Sequence, residues 1–127
     1  MTTKIRLAGK SVLLAEDESI VVDVIREVVA PFVLTLDVAN DGPDALACIM
    51  RRDYDILLLD LKMPRMNGLK LFDYIRDIKP HLLDRIIIVT GDAESEHVKT
   101  FIKTSGCQCL AKPFKIKELF DAISSIT

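Results

Sequence analysis

Polar residues that can do chemistry follow four of the apolar runs in this sequence. They are Glu16-Asp17-Glu18 after 11–15, Asp60 after 56–59, Thr90-Gly91-Asp92 after 85–89, and Lys112-Pro113 after 107–111. Clustered carboxylates repel one another and stay ionised together when a cation neutralises them. Mg²⁺ takes one or two carboxylates and keeps several waters, which leaves room for a phosphate. With Lys112 as a second positive charge and Thr90 as a hydroxyl donor, these residues predict a site for a phosphoryl group.

Asp60 is the candidate nucleophile of this site. Phosphoryl transfer needs little from a protein beyond positioning and charge neutralisation. The group still needs an acceptor, and carboxylates can form aspartyl phosphates. Each residue alone has an ordinary structural explanation: an acidic turn at a helix N-terminus, a capping threonine or a surface lysine. Their joint placement at the ends of four strands favours the functional interpretation.

The elements that must position these residues alternate along the chain. Short runs rich in aliphatic residues predict strands at 11–15, 33–38, 55–59, 85–89 and 107–111, and each is followed by a segment of helical period. Pro43 suits a first helical turn, Asn67 an N-cap, and Gly106 a helix C-terminus, while Pro80 marks the end of the third helix. Five such units predict a parallel sheet covered by helices on both faces. Ligands of such sheets bind outside the carboxyl ends of the strands.

Composition limits the remaining possibilities. The 127 residues, half of them hydrophobic, predict one domain, and 17 basic against 19 acidic residues give a net charge of −2 without a basic block for nucleic acid. The apolar runs are too short for a membrane span, and the start resembles no signal peptide, so we expect a cytoplasmic protein. Cys48, Cys107 and Cys109 are then expected to be free thiols. The Cys107-x-Cys109 pair lacks the further ligands of a zinc site.

Four motifs, "LLAEDE", "LLLDLKMPRMNG", "IIIVTGD" and "CLAKPF", stand in the order and at the spacing of a known family. The chain resembles the receiver domain of two-component response regulators from Lys10 to Ile126. The resemblance implies one receiver domain over 1–127, with a core of about 10–126. It also implies a flavodoxin-like (βα)5 fold with a five-stranded parallel sheet of order 2-1-3-4-5.

The resemblance also implies the roles of the site residues. Asp60 is the expected phosphoacceptor, which takes the phosphoryl group from the phosphohistidine of a histidine kinase or a histidine phosphotransfer domain and then loses it slowly to water. Thr90 and Lys112 are expected to bind phosphoryl oxygens. The expected ligands of Mg²⁺, for which Mn²⁺ could substitute, are Asp17, Asp60, the backbone carbonyl of Lys62 and, through water, Glu16. The Lys112-Pro113 bond resembles one that is cis in the family. Such a domain catalyses its own phosphorylation and dephosphorylation and is not otherwise an enzyme.

Three positions bear on how the signal is passed on and how long it lasts. The family places an aromatic residue three before the lysine, where it follows the threonine inward on phosphorylation, and this chain has Cys109 there. A shift of Thr90 could still change the surface formed by the fourth helix, fifth strand and fifth helix, the expected face for an output domain or protein partner.

Lys62 and Asp92 lie at positions that tune phosphate loss in the family. We expect them to pair over the site, so that Lys62→Ala changes the half-life of the phosphorylated form.

Other functions fit less well. A phosphatase of the haloacid dehalogenase type places its nucleophile in a D-x-D motif after the first strand, and a flavin or nucleotide binder carries a glycine-rich loop there, where this chain has three acids. A pseudo-receiver, which acts as a phosphorylation-independent interaction module, stays as the alternative. The chain ends directly after the predicted fifth helix. It is expected to be a stand-alone regulator or a receiver from a hybrid histidine kinase or a longer regulator.

Overall fold

The computed structural model of the protein describes residues 6–126, in which strands and α-helices alternate. They are β1 Ser11–Ala15, α1 Ser19–Val29, β2 Thr35–Ala39, α2 Gly42–Arg51, β3 Ile56–Asp60, α3 Gly68–Ile78, β4 Ile86–Thr90, α4 Glu96–Ser105, β5 Gln108–Ala111 and α5 Ile116–Ser124. The five strands form one parallel sheet in the order β2-β1-β3-β4-β5. The predicted flavodoxin-like fold is therefore confirmed.

The central strands β3 and β4 are buried along their whole length, as their unbroken aliphatic sequences predict. Successive side chains point to opposite faces of a strand, so each strand contributes to two cores. Leu57 and Leu59 pack on the face covered by α2, α3 and α4. Leu58 packs on the other face, against α1 and α5. In the parallel pairing of β3 with β4, Asp60 lies opposite Val89, which places the last residue of β3 at the carboxyl end of the sheet.

The predicted helix boundaries are largely confirmed. The Asn67 side chain accepts a hydrogen bond from the backbone N–H of Lys70 at the start of α3. Gly106 ends α4 with φ 74°, in the left-handed region that glycine enters without a Cβ penalty. Pro43 lies in the first turn of α2. These caps set where each helix begins or ends, and with it the length of the loops around the site.

The structure corrects the start of β2. The sequence predicts a strand from residue 33, but a short 3-10 helix occupies Ala30–Phe32 and β2 begins at Thr35. The carbonyl of Lys10 accepts hydrogen bonds from the N–H groups of Leu34 and Thr35, which places β2 beside β1. Pairing with β1, rather than local β-propensity, therefore decides where this strand begins.

A 3-10 helix, Pro80–Arg85, follows α3 and joins it to β4. The sequence marks Pro80 as the end of a helix but gives no sign of the second one, whose buried residue is Leu82. Within 6–126, no helix has both the length and the apolar character needed to cross a membrane.

Candidate functional site

Asp60 ends β3 at the carboxyl edge of the sheet, and its side chain is almost completely buried. One carboxylate oxygen accepts a hydrogen bond from the backbone N–H of Lys62 at 3.1 Å, and the other lies 3.2 Å from Lys112 Nζ. A Cβ on Gly68 would lie 2.4 Å from the Asp60 carbonyl oxygen. The first turn of α3 can therefore pack against the backbone of Asp60 because residue 68 is glycine.

The acids after β1 surround the same point. Glu16 is fully buried, whereas Asp17 is exposed to solvent. Glu16, Asp17 and Asp60 each offer a carboxylate oxygen within 4.8 Å of the others. A group of oxygen ligands from two adjacent strand ends, with one member open to solvent, is an arrangement that can hold a hard divalent cation.

Lys112 links these acids. Its Nζ lies 2.9 and 3.1 Å from the two Glu16 carboxylate oxygens, 2.7 Å from Glu18 Oε1 and 3.2 Å from Asp60 Oδ2. The following Lys112-Pro113 bond is cis, as expected. Lys112 follows β5, so strands β1, β3 and β5 all contribute charged groups to one place.

The carboxylates carry more negative charge than Lys112 balances. Burial raises the pKa of Glu16 to about 7, the neighbouring Asp60 carboxyl adds to the rise, and the hydrogen bond from Lys112 opposes it. Burial by itself lowers the pKa of Lys112, but hydrogen bonds to Glu16 and Glu18 and the charge of Asp60 raise it overall. Glu16 Oε1 is 2.9 Å from Lys112 Nζ yet receives no hydrogen bond of acceptable geometry. A buried oxygen without a hydrogen bond, beside two further carboxylates, fits a site for a cation or a cation-bound water.

Thr90 ends β4 and is buried, and its Oγ1 accepts a hydrogen bond from the Asp92 N–H at 3.0 Å. Asp17, Lys62, Thr90 and Asp92 line one cleft of about 520 Å³. A Cβ on Gly91 would meet no heavy atom within 4 Å, so the space beside Thr90 is open. The cleft therefore gives a solute access to the sheet edge.

Lys62 and Asp92 form an ion pair across this cleft, with 2.7 Å between Lys62 Nζ and Asp92 Oδ2. The pairing expected from the sequence is present. The Lys62 side chain is largely exposed and that of Asp92 is about half exposed, so the pair can open without a large desolvation change.

Some contacts at the site were not foreseen. Glu18 provides the shortest contact to Lys112, although its sequence position marks it only as part of an acidic turn. Its position two residues after Glu16 was the available signal. An ion pair between Asp41 and Arg65 beside the β3–α3 loop was also missed, because the two residues are distant in sequence.

The three cysteines, Cys48, Cys107 and Cys109, are free thiols. Cys109 lies half-buried in β5, and burial raises the pKa of its thiol. A thiol with a raised pKa is mostly protonated at neutral pH and is a weak nucleophile. The described environment of Cys109 is thus that of a packed side chain.

A family model described as the response regulator receiver domain matches residues 12–124. The chain belongs to this family. It is similar over 91% of its length to the response regulator ArlR of Staphylococcus epidermidis, with 29% identity. The chain spans 52% of ArlR, and about half the length or less of the first curated relatives that it matches.

Solved receiver structures have the same fold. The receiver domain of the Francisella response regulator 1452 has 28% identity and a TM-score of 0.79, and the match covers 93% of this chain and 96% of that one. The receiver domain of the sensor histidine kinase PA1611 from Pseudomonas aeruginosa PAO1 has 25% identity and a TM-score of 0.77, with 93% and 97% covered. That structure holds a magnesium ion in its active site cleft.

Proposed function

We propose that this receiver domain accepts a phosphoryl group on Asp60 in a Mg²⁺-dependent reaction, with a phosphohistidine of a histidine kinase or phosphotransfer domain as the donor. The observation that carries the proposal is the buried Asp60 carboxylate within 3.2 Å of Lys112 Nζ and beside two further acids. A nucleophilic carboxylate held between a cation and a metal-binding cluster has the components that an aspartyl phosphate requires. We further propose that residues 1–127 form one such domain and that it acts in the cytoplasm.

Asp17 and Asp60, with the Lys62 carbonyl and a water held by Glu16, would bind the Mg²⁺. When bound, the ion would neutralise charge on the phosphoryl oxygens. An Asp60 carboxylate oxygen would attack the phosphorus, the bond from phosphorus to the donor nitrogen would break, and its electron pair would leave with the imidazole. Lys112 Nζ and the Thr90 hydroxyl would hold the transferred oxygens in place. Hydrolysis by water would later regenerate the Asp60 carboxylate.

The same site suggests how the signal leaves the domain. Thr90 is the last residue of β4, and β5 beside it is a four-residue strand at the edge of the sheet. Helix α4 buries only Val98 completely, whereas α3 buries four residues. Elements with few buried apolar contacts are the ones that move most easily. We propose that phosphorylation acts through Thr90 on the face formed by α4, β5 and α5, with Cys109 packed where the family has an aromatic side chain.

Phosphorylation by a small acyl phosphate tests the proposal directly. The native protein, incubated with acetyl phosphate and Mg²⁺, is expected to gain the mass of one phosphoryl group, and excess chelator should prevent the gain. Asp60→Asn should show no gain. Asp53→Asn, which removes an exposed aspartate from the amino end of the sheet, should behave as the native protein.

An unmodified native protein under these conditions would contradict the proposal and favour the pseudo-receiver. Equal modification of the native protein and Asp60→Asn would place the acceptor elsewhere. A phosphorylated native protein that cannot be loaded by any phosphohistidine donor would overturn the donor class but leave Asp60 as the acceptor.

A further inference from the structure

The Asp41 carboxylate joins the start of α2 to the β3–α3 loop. Its Oδ1 accepts a hydrogen bond from the Asp44 N–H at 2.8 Å, which caps α2. Its Oδ2 accepts two hydrogen bonds from Arg65, one from Nε at 3.0 Å and one from Nη2. Asp41 is only 7% exposed. A buried carboxylate bound by a guanidinium through two donors is a strong and directional link.

The backbone at Arg65 has an uncommon conformation. Among the residues that the structure describes, Arg65 is the non-glycine residue with positive φ, at 65°. The Met66 N–H donates to the Pro64 carbonyl at 2.7 Å, so Arg65 is the centre of a three-residue turn. Such a turn is strained for a residue with a Cβ and persists only where the surroundings hold it. The two hydrogen bonds to Asp41 are a contact that can hold it.

The start of α2 and the β3–α3 loop also contact each other through their backbones. A Cβ on Gly42 would lie 2.2 Å from the Met66 carbonyl oxygen, so the first turn of α2 and the loop touch through their main chains. At the other end of the loop, the Gly68 N–H donates to the Leu61 carbonyl at 3.0 Å. The segment from 61 to 68 is therefore fastened at both ends.

We propose that Asp41 and Arg65 are positioning residues that fix the β3–α3 loop so that the Lys62 backbone carbonyl can serve as a metal ligand. This inference rests on the proposed function, which assigns that carbonyl to the Mg²⁺ site. A carbonyl ligand is oriented by the main chain alone, and Lys62 lies three residues before Arg65, the centre of the strained turn. Loss of the Asp41–Arg65 link lets the turn relax toward negative φ, and the peptide planes before it can then rotate.

Relaxation of the loop lowers the affinity for Mg²⁺ because the ion demands near-ideal octahedral geometry. Loss of a group that orients a metal ligand commonly costs at least about tenfold in metal affinity. We therefore expect the dissociation constant for Mg²⁺ to rise about tenfold when the link is removed, with Asp17 and Asp60 unchanged.

Titration calorimetry with Mg²⁺ alone, on the whole chain, tests the inference. Arg65→Ala removes the side-chain donors, and Asp41→Asn keeps a good N-cap while losing the charged acceptor. Arg65→Gly removes the donors and also relieves the strain at positive φ, which stabilises the native conformation of the turn. Arg65→Ala and Asp41→Asn are expected to bind Mg²⁺ about tenfold more weakly. Arg65→Gly adopts positive φ without strain and should lose less affinity. Arg76→Ala, which removes an exposed arginine paired within α3, is the control and should bind as the native protein does.

Hydrogen exchange without metal gives an independent measurement. The Met66 and Gly68 amides should exchange faster in Arg65→Ala and Asp41→Asn, while the amides of β3 keep their native rates. Native affinity in both Arg65→Ala and Asp41→Asn would overturn this inference and leave the proposed function intact. A native protein that binds no Mg²⁺ would overturn the proposed function, and this inference with it.

Discussion

The charged side chains at the two ends of the sheet differ in burial and in pairing. At the amino end, Asp53 pairs with Lys79 at 2.7 Å and with His81 at 2.8 Å, and all three side chains are at least partly exposed. At the carboxyl end, Glu16 and Asp60 are buried and both contact Lys112. The first arrangement is a balanced surface ion pair, and the second leaves excess negative charge in a place that water reaches poorly.

This difference agrees with the proposal that the carboxyl end carries the functional site. An exposed ion pair contributes little to stability and can be lost at small cost. Burial of charge is unfavourable, and burial first and the neighbouring Asp60 carboxyl second raise the pKa of Glu16. A fold can keep such carboxylates where a bound cation offsets the repulsion. The buried carboxylates at the carboxyl end thus support the proposed metal and phosphoryl site there.

The largest expected effect is the loss of stability when Lys112 is removed from the carboxyl end. The matched control removes a lysine from the amino end. Lys112→Met leaves two buried carboxylates without their contacting cation, so we expect the free energy of unfolding in metal-free buffer to fall by about 3 kcal/mol. Lys79→Met removes a lysine from the exposed pair and should have a far smaller effect. Urea denaturation of both variants and the native protein measures the difference. Equal losses would contradict the contrast between the two ends.

Added Mg²⁺ should stabilise the protein through the carboxyl end alone. At a concentration one hundred times its dissociation constant, the ion is expected to raise the free energy of unfolding by about 2.7 kcal/mol. Asp17→Asn should lose most of this increase, whereas Asp53→Asn should retain it. The measurement is denaturation with and without Mg²⁺ for each variant. An increase that survives Asp17→Asn would remove Asp17 from the proposed ligands.

The smallest expected effect concerns two matched ion pairs. Lys62–Asp92 and Lys79–Asp53 both have 2.7 Å contacts, but only the first crosses the cleft. We expect Lys62→Ala to shorten the half-life of phosphorylated protein a few-fold, because the attacking water gains access to the phosphoryl group. Lys79→Ala should leave the half-life unchanged. Radiolabel loss from Asp60 measures both rates.

A double variant separates the ion pair from other effects of Lys62. If the pair itself shields the site, Asp92→Asn should act like Lys62→Ala, and the double variant should lose phosphate no faster than either single variant. Additive effects would show that the two residues act separately. An unchanged half-life in Lys62→Ala would refute the shielding role.

Much of the fold follows from local patterns in the sequence. The unbroken aliphatic runs before Asp60 and Thr90 predict strands buried on both faces, and they are. Asn67 and Gly106 predict helix ends because their side-chain and backbone chemistry acts within a few residues. The start of β2 was predicted two residues early, since it depends on hydrogen bonds to the Lys10 carbonyl across the sheet. The 3-10 helix Pro80–Arg85 was not predicted.

The sequence by itself determined which residue types stand at the strand ends. The spacing of apolar residues in strands and helices, and the residues that favour turns, act over short stretches of chain. The tertiary structure decided how their charges are shared: that Glu16 is buried while Asp17 is exposed, that Glu18 contacts Lys112, and that Asp41 binds Arg65. The two contacts join residues 94 and 24 positions apart. No local pattern specifies such distances, because they arise only when parallel strands bring their carboxyl ends to one edge of the sheet.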